Sequence, residues 1–338
     1  MATLAADNDP INLSTFTTQQ YALPQNLSNL NQHLSFIAGC FVDWKTDLII
    51  PCDETSITLL SMLYDGVKGS DDSDNKFIKN LIIQSKGNPD YYDHVVSKNL
   101  SVELAQEFGI RTPEQKLCKN ISDLDAFADK YGYPIVLKRE HGCAGIYVRI
   151  CDNEQDAQKE YESLSQTGQV IAQQYIEGKP AMANAACYEG KILSCAVFIK
   201  EECFPDSKGP SAVVRYIENP EIFEATKKFT NNTGYNGIIS LDFMLDKNNN
   251  AHLIECNPRP TPVSHLGFAT GTDLFRALYA AMSGTTYQPE KFEEKTIALF
   301  PKELARDPQS AYLETAYHDI PEDEPELEKF LLSTLKSK

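Results

Sequence analysis

The spacing of apolar positions changes along the chain, and the changes mark out the elements. Val102, Leu104, Ala105 and Phe108 recur at helical spacing, and this helix should stop at Gly109 with Pro113 beyond it. Ser122 is placed to cap a helix over Asp123–Tyr131 that ends at Gly132. Two runs of strand character follow, Pro134–Lys138 and Gly145–Ile150, with the short loop Arg139–Ala144 between them. A helix from Asn153 to Leu164 then leads to a strand at Val170–Tyr175. Ala183–Tyr188 and Lys191–Lys200 read as a hairpin turned at Glu189-Gly190, and Glu201–Ser211 as a mobile loop. A helix around Pro220–Thr233 precedes two strands, Gly237–Leu245 and Ala251–Asn257, joined by the polar turn Asp246–Asn250. Upstream, residues 1–96 alternate in α/β fashion. Asp47–Pro51 reads as a buried parallel strand, Glu54–Tyr64 as a helix and Gly69–Asn75 as a polar loop. Past Thr286 the pattern weakens, and Glu314–Glu328 reads as a solvated acidic segment. The whole predicts an α/β protein with an α+β catalytic part.

Composition narrows the partners. Lys plus Arg is 31 against 48 Asp plus Glu, a formal net charge of −17. Affinity for nucleic acid rests on neutralising phosphates with Lys and Arg, so neither a nucleic acid nor an anionic membrane surface is expected as a partner. A small phosphorylated ligand stays open, because one local cluster of cations can oppose the global sign. The opening residues lack the basic and apolar regions of a signal peptide, and no apolar run reaches transmembrane length. The nine cysteines are scattered without a C-x-x-C pair, which suits reduced thiols in a cytoplasmic protein. The six histidines form no zinc spacing. Neither a P-loop nor a G-x-G-x-x-G string occurs, which disfavours Walker-type NTPases and Rossmann dehydrogenases.

The hairpin of Gly237–Leu245 and Ala251–Asn257 carries the chemistry. If Leu245 pairs with His252, Asp242 falls opposite Glu255 and Ser240 opposite Asn257, with Glu255 and Asn257 on one face and Cys256 on the other. Directly opposed carboxylates repel unless a cation lies between them. Three oxygen donors without imidazole or thiolate suit Mg²⁺ or Mn²⁺. The alternative is a solvated hairpin face that merely tolerates acids. Pro258, Pro260 and Pro262 stiffen the exit and would fix Arg259 beside the ion, a placement suited to phosphoryl transfer or an acyl phosphate.

The run Ser240-Leu241-Asp242-Phe243-Met244 followed by Leu253-Ile254-Glu255-Cys256-Asn257-Pro258-Arg259 resembles the metal-binding core of the ATP-grasp superfamily. The resemblance is to the branch of carbamoyl-phosphate synthase large subunits, biotin carboxylases and amino-acid ligases, and it covers roughly Ser97–Thr286. It implies Asp242, Glu255 and Asn257 as Mg²⁺ ligands and Arg259 as the cation on the transferred phosphate. It further implies Lys98 and Lys138 as phosphate-binding lysines. Gln173 would bond the exocyclic amine of adenine, the backbones of Gln174 and Ile176 would read the ring edge, and Val136 and Met244 would sandwich the base. The plainer alternatives are a surface lysine at position 98 and ordinary core at 136 and 244. Glu54 and Arg215 are candidates to face the substrate, or else a helix-terminal charge and a surface cation.

Three departures from the family pattern stand out. The loop after Lys138 keeps only Gly142 and Gly145, and Pro180 stands where a ribose-binding acid is usual, so either Glu177 substitutes or the ribose contact is lost. The N-terminal α/β domain has no counterpart for its first strand and helix, so it is expected to be shortened or rebuilt. The implied organisation is a shortened Rossmann-like pre-ATP-grasp domain over 1–96, an ATP-grasp fold over 97–290 with lobes at about 112–172 and 173–290, and a C-terminal segment over 291–338. The implied function is an ATP- and Mg²⁺-dependent ligase. It would activate a small carboxylate as an acyl phosphate for attack by an amine, with a homodimer left open. Phosphorylation of a small acid, as in carbamoyl-phosphate synthase or a kinase, is the alternative within catalysis. A nucleotide-binding regulatory protein with a decayed site is the alternative outside it.

Overall fold

The structure is a computed structural model and describes residues 1–24, 29–142, 145–291 and 293–337. Cys143 and Ala144, at the end of the loop expected after Lys138, lie outside the described residues.

The N-terminal part opens with a parallel pair, β1 (Ala2–Ala5) and β2 (Gln19–Ala22), followed by helices α1 (Leu30–Trp44), α2 (Glu54–Val67) and α3 (Ser73–Lys86). Their apolar stripes meet at Ile37, Phe41, Leu60, Leu63, Ile78, Leu81 and Ile82. Asp47–Pro51, expected as a strand, is irregular. Among the described residues no strand pairs with it, and the Ile49 amide is satisfied instead by Oγ of Ser85 at 2.9 Å. The polar loop ends earlier than expected, because the Asp72 carboxylate accepts from the amides of Asp74 and Asn75 and starts α3 at Ser73.

Helices α4 (Tyr92–Val96) and α5 (Lys98–Glu107) lead into a small four-stranded sheet. It comprises β3 (Gln115–Cys118), β4 (Ile135–Arg139), β5 (Val148–Cys151) and β6 (Val170–Gln174), in the order β3-β6-β4-β5. Helices α6 (Ile121–Tyr131) and α7 (Glu154–Ser165) cover one face, packing Leu124, Phe127, Ala157 and Leu164 on Ile135, Leu137 and Ala172. The cap of α6 is Asn120, whose side chain accepts from the Asp123 amide, so the expected cap Ser122 lies inside the first turn.

The large sheet holds β7 (Gly178–Tyr188), β8 (Lys191–Cys203), β9 (Ser211–Ile217), β10 (Gly237–Asp246) and β11 (Ala251–Asn257), with helix α8 (Pro220–Thr233) between β9 and β10. Further on come α9 (Gly267–Thr270), α10 (Leu274–Ser283), β12 (Lys295–Ala298), α11 (Lys302–Arg306), α12 (Tyr312–Thr315), β13 (Tyr317–His318) and α13 (Pro325–Ser333). The strand order is β11-β10-β7-β8-β9-β12-β13, so the C-terminal segment joins the sheet through β12. The β7–β8 hairpin turns at Glu189 and Gly190, with φ of 50° and 76°, the paired left-handed conformation of a type I′ turn. The loop expected at Glu201–Ser211 is shorter, because β8 runs on to Cys203 and β9 begins at Ser211.

The two faces of this sheet differ. Ala181, Ala183, Ile239, Leu241 and Phe243 face one way and pack on Val102 and Ala105 of α5 and Ile222 and Phe229 of α8. Met182, Phe198, Val214 and Tyr216 face the other way and pack on Val263, Leu266 and Leu299. Alternation puts Ser240, Asp242 and Met244 on this second face, with Asp242 directly opposite Met182.

Candidate active site

The pairings expected at the centre of the hairpin are present: Asp242 lies opposite Glu255 and Ser240 opposite Asn257. The turn end differs, because Leu245 pairs with Ala251 and Met244 with His252, one residue off the expected register. A β-bulge reconciles the two. Phe243 faces Leu253 while Asp242 faces Glu255, so Ile254 is the extra residue. Without the bulge, a one-residue slip would have sent Glu255 to the opposite face. The carbonyl of Ile254 accepts Nζ of Lys138 at 2.9 Å. The irregularity thus joins the small sheet to the carboxylate strand.

Three lysines converge on two carboxylates. Lys98, at the first position of α5, pairs with Glu255. Lys200, on β8, lies 3.4 Å from Asp242. Lys138 is only 5% exposed at the end of β4. Burial brings its ammonium down to about 8, a fall that Glu255 resists and Lys98 deepens. Burial works the same way on Lys98 and Lys200, but Glu255 and Asp242 respectively outweigh it and hold both above the ordinary lysine value. Burial would raise Glu255, yet Lys98 and Lys138 carry it below the usual carboxylate range. Nδ2 of Asn257 donates to Asp242 Oδ2 at 3.0 Å, tying the third expected ligand to the first. Three cations against two acids leave this face locally positive in a chain of net charge −17.

Lys98 is held by its helix end. Oγ of Ser97 accepts from the Leu100 amide at 2.9 Å and donates to Glu140, while Oε2 of Glu140 accepts from the Asn99 amide at 3.1 Å. A buried acid just after the phosphate-candidate strand therefore satisfies the first turn of α5. The buried Gln173 donates to Oε1 of Gln115 at 2.8 Å, and Gln115 donates to the Asn99 carbonyl at 3.2 Å. The Gln174 amide is engaged by the Glu114 carbonyl at 2.8 Å, which leaves its carbonyl as the group to face a ligand edge among the described residues. Val136 and Met244 are half-buried and outside the fully buried core, and Ile176 is half-buried on the β6–β7 connection. Pro180 lies opposite Met244, and Glu177 is exposed.

Arg259 pairs with Glu54, at the first position of α2, through Nε at 3.0 Å and through Nη2 at 2.5 Å. The exit strand therefore bridges to the N-terminal helices, and two separately nominated residues meet. Arg215 does not join them. It lies opposite Ile199 on the face away from Asp242, bound by Glu201 at 2.6 Å and Glu294 at 2.7 Å. Gly145 has φ of 71°, and its Cα abuts the Lys208 backbone with no room for a side chain, so the loop after Lys138 meets the β8–β9 connection. A cavity of about 430 Å³ opens on the far side of the α5 start, walled by Thr58, Ser61, Ser97, Asn99, Glu140 and His141. Lys200, Glu140 and the Ile254 bulge were not nominated from sequence. A lysine within an alternating strand and an acid beyond a basic one carry no local signal.

Among the described residues no cluster of three His, Cys, Asp or Glu side chains forms a metal cage. Asp242, Glu255 and the side-chain carbonyl of Asn257 could hold an ion that takes its remaining ligands from elsewhere. Mg²⁺ behaves in this way, sharing one or two carboxylates with phosphate oxygens.

This arrangement of two unequal sheets with a charged face between them has clear relatives. Residues 96–263 match the ATP-grasp domain family, and the chain belongs to the ATP-grasp superfamily. It is 24% identical over 178 residues to a carbamoyl-phosphate synthase of Methanobrevibacter smithii, covering 50% of this chain and 47% of that one. It is 22% identical over 174 residues to a D-alanine–D-alanine ligase of Francisella tularensis, covering 49% and 57%. The alignments span about half or less of the curated relatives compared first. Among solved structures, the biotin carboxylase domain of the 2-oxoglutarate carboxylase of Hydrogenobacter thermophilus, in complex with MgADP and bicarbonate, aligns with a TM-score of 0.65 at 18% identity, covering 87% of this chain and 68% of that one. An N5-carboxyaminoimidazole synthetase of Staphylococcus aureus, complexed with ADP, aligns with a TM-score of 0.66 at 16% identity, covering 87% and 74%. The fold is therefore ATP-grasp. No helix among the described residues is long and apolar enough to cross a membrane.

Proposed function

We propose that the chain is an ATP- and Mg²⁺-dependent ligase that converts a small carboxylate into an acyl phosphate and passes the acyl group to an amine. The observation that carries this reading is the convergence of Lys98, Lys138 and Lys200 with Asp242, Glu255 and Asn257 on one sheet face. A positive pocket with an oxygen donor set is what a nucleotide triphosphate and its ion require.

Val136 and Met244 hold the adenine, Gln173 bonds its exocyclic amine, and the Gln174 carbonyl and Ile176 amide read its edge. Lys98 and Lys138 neutralise the phosphates, and Lys200 orients Asp242. Asp242, Glu255 and Asn257 hold Mg²⁺, which when bound supplies positive charge to phosphate oxygens. Positioning does most of the remaining work. The substrate carboxylate attacks the γ-phosphorus and ADP leaves. Arg259, fixed by Glu54, stabilises the oxyanion when the acyl phosphate is attacked. The division at about residues 96 and 290 separates the lobe that grips the nucleotide from the flanks that select substrates.

Release of ADP and phosphate from Mg²⁺ATP, measured over pooled small carboxylates and amines, tests this. Release that needs both an acid and an amine, and disappears in Glu255→Gln, is expected. Undiminished turnover in Glu255→Gln would defeat the assignment.

A further inference from the structure

Beyond Arg259 the Pro-rich exit settles on β7, and the residue that receives it is Asn184. Oγ1 of Thr261 and Oγ of Ser264 both donate to Oδ1 of Asn184, at 2.7 and 2.8 Å. Ser264 Oγ accepts the Thr261 amide at 2.9 Å, so its own hydrogen is the one given to Asn184. That engages Oδ1 and leaves Nδ2 of Asn184 without a hydrogen-bond partner among the described residues. Directly opposite on β10 is Ser240, whose Oγ is likewise unpartnered among them. Both residues are 0% exposed. Opposed residues of an antiparallel pair share a face, with Cβ atoms about 5 Å apart, so the two groups are neighbours.

Burying a donor or a hydroxyl unpaired costs free energy that an alanine would not, and Ala196 occupies the next place in the same row, opposite Asn184 on β8. Position on the face says what the pair is for. Counting along β10 by twos, Met244, Asp242 and Ser240 follow one another on one face at steps of roughly 7 Å. On the ligase reading the base lies at Met244 and the ion at Asp242. Ser240 is the next step in the same direction, level with Asn257, at the end of the triphosphate where the carboxylate approaches. The row holds amides and hydroxyls, from Asn257, Ser240, Asn184 and Thr261, and none of these carries a charge.

We propose that Asn184 and Ser240 bind a hydroxyl group of the acid that is activated, which makes the substrate a hydroxy acid. The proposal rests on the ligase reading above and deepens it. A hydroxyl matches both partners at once: its oxygen accepts from Nδ2 of Asn184, and its proton goes to Oγ of Ser240. A second carboxylate or a phosphate would need a cation, which these four residues do not offer, and an apolar substituent would leave both groups unpaired. Asn184 is reached past Thr261, the partly exposed member of its two-hydroxyl cover, which turns away as the acid enters.

Hydroxylamine reads the activation step by itself, because it traps an acyl phosphate whatever the natural acceptor. With Mg²⁺ATP, hydroxamate formation is compared over acids paired with and without one hydroxyl: lactate with propionate, malate with succinate, 3-hydroxybutyrate with butyrate. Wild-type protein should favour the hydroxy acid of at least one pair by roughly 100-fold or more in kcat/KM, because the analogue leaves buried polar groups unpaired. Ser240→Ala should cut that ratio at least about tenfold, and so should Asn184→Asp, which keeps an acceptor for Thr261 and Ser264 but loses the amide donor. Ser240→Ala should also melt no lower than wild type, since the hydroxyl it removes makes no bond among the described residues. An unchanged ratio in Ser240→Ala would overturn the proposal, and with a lower melting temperature it would assign the pair to a buried water that serves only the fold. A wild-type ratio near one in every pair that turns over would also overturn it and leave the ligase reading intact. No hydroxamate from wild-type protein with any acid would overturn the ligase reading, and this proposal with it.

Discussion

The N-terminal helices and the sheet face each bury a lysine, and burial brings both down to about 8. Their surroundings differ. Nζ of Lys86, 6% exposed on α3, donates to Oγ of Ser61 at 2.6 Å and to the Ile57 carbonyl at 3.3 Å, and sits 4.0 Å over the ring of Tyr92. Its donors are absorbed by the protein and a π face. Lys138 has one protein acceptor among the described residues, the Ile254 carbonyl, and faces Glu255 and Lys98. An ammonium has three donors, so two of those on Lys138 are unused among the described residues, and the proposed function assigns them to the phosphates. Depth of burial alone does not separate the two lysines; the unused donors do.

The comparison can be broken at either site. The largest expected effect is on turnover. Glu255→Gln should cost roughly 2.7–4 kcal/mol in the barrier, read as loss of ADP release under saturating Mg²⁺ATP. The next is on stability. Lys86 falls from 10.5 to about 8 on folding, so the unfolded chain binds more protons between those pH values and stability rises with pH across that window. In Lys86→Met, urea titrations at pH 7 and pH 10.5 should show a rise smaller by about 3 kcal/mol, with turnover unchanged. A smaller effect belongs to Lys138. A bound phosphate favours its charged form, so ADP affinity should fall as pH rises above about 8, by up to about tenfold per unit. Calorimetry on Lys138→Arg should show that fall removed, since arginine stays charged. The smallest is Arg215→Ala. On the opposite sheet face it should change stability by less than about 1 kcal/mol and leave turnover as it is.

Much of this was legible in the sequence for physical reasons. Asp242 and Glu255 are read as opposed from a Leu245–His252 register that is one residue off, and the bulge restores the pairing; Pro220–Thr233 is legible because a proline start and a following glycine bound the helix. The bulge at Ile254 was hidden, since a period of two cannot count an extra residue that the backbone absorbs. Asp47–Pro51 misled because an apolar run becomes a strand only where a neighbour offers a ladder. Lys200 was missed because its role depends on the side chain reaching from β8 past β7 to Asp242, a relation between strands far apart in sequence. Arg215 reads from sequence equally as a substrate group or a surface cation, and only the register sets it on the face away from Asp242.

The most direct measurement is a calorimetric titration of ADP in the presence of Mg²⁺ against wild-type protein, Lys138→Met and Lys86→Met at pH 7. Wild-type and Lys86→Met protein should bind alike, and Lys138→Met should bind at least about tenfold more weakly, as expected for a lost charged hydrogen bond. Equal affinity in Lys138→Met and wild-type protein, or a loss confined to Lys86→Met, would contradict the account.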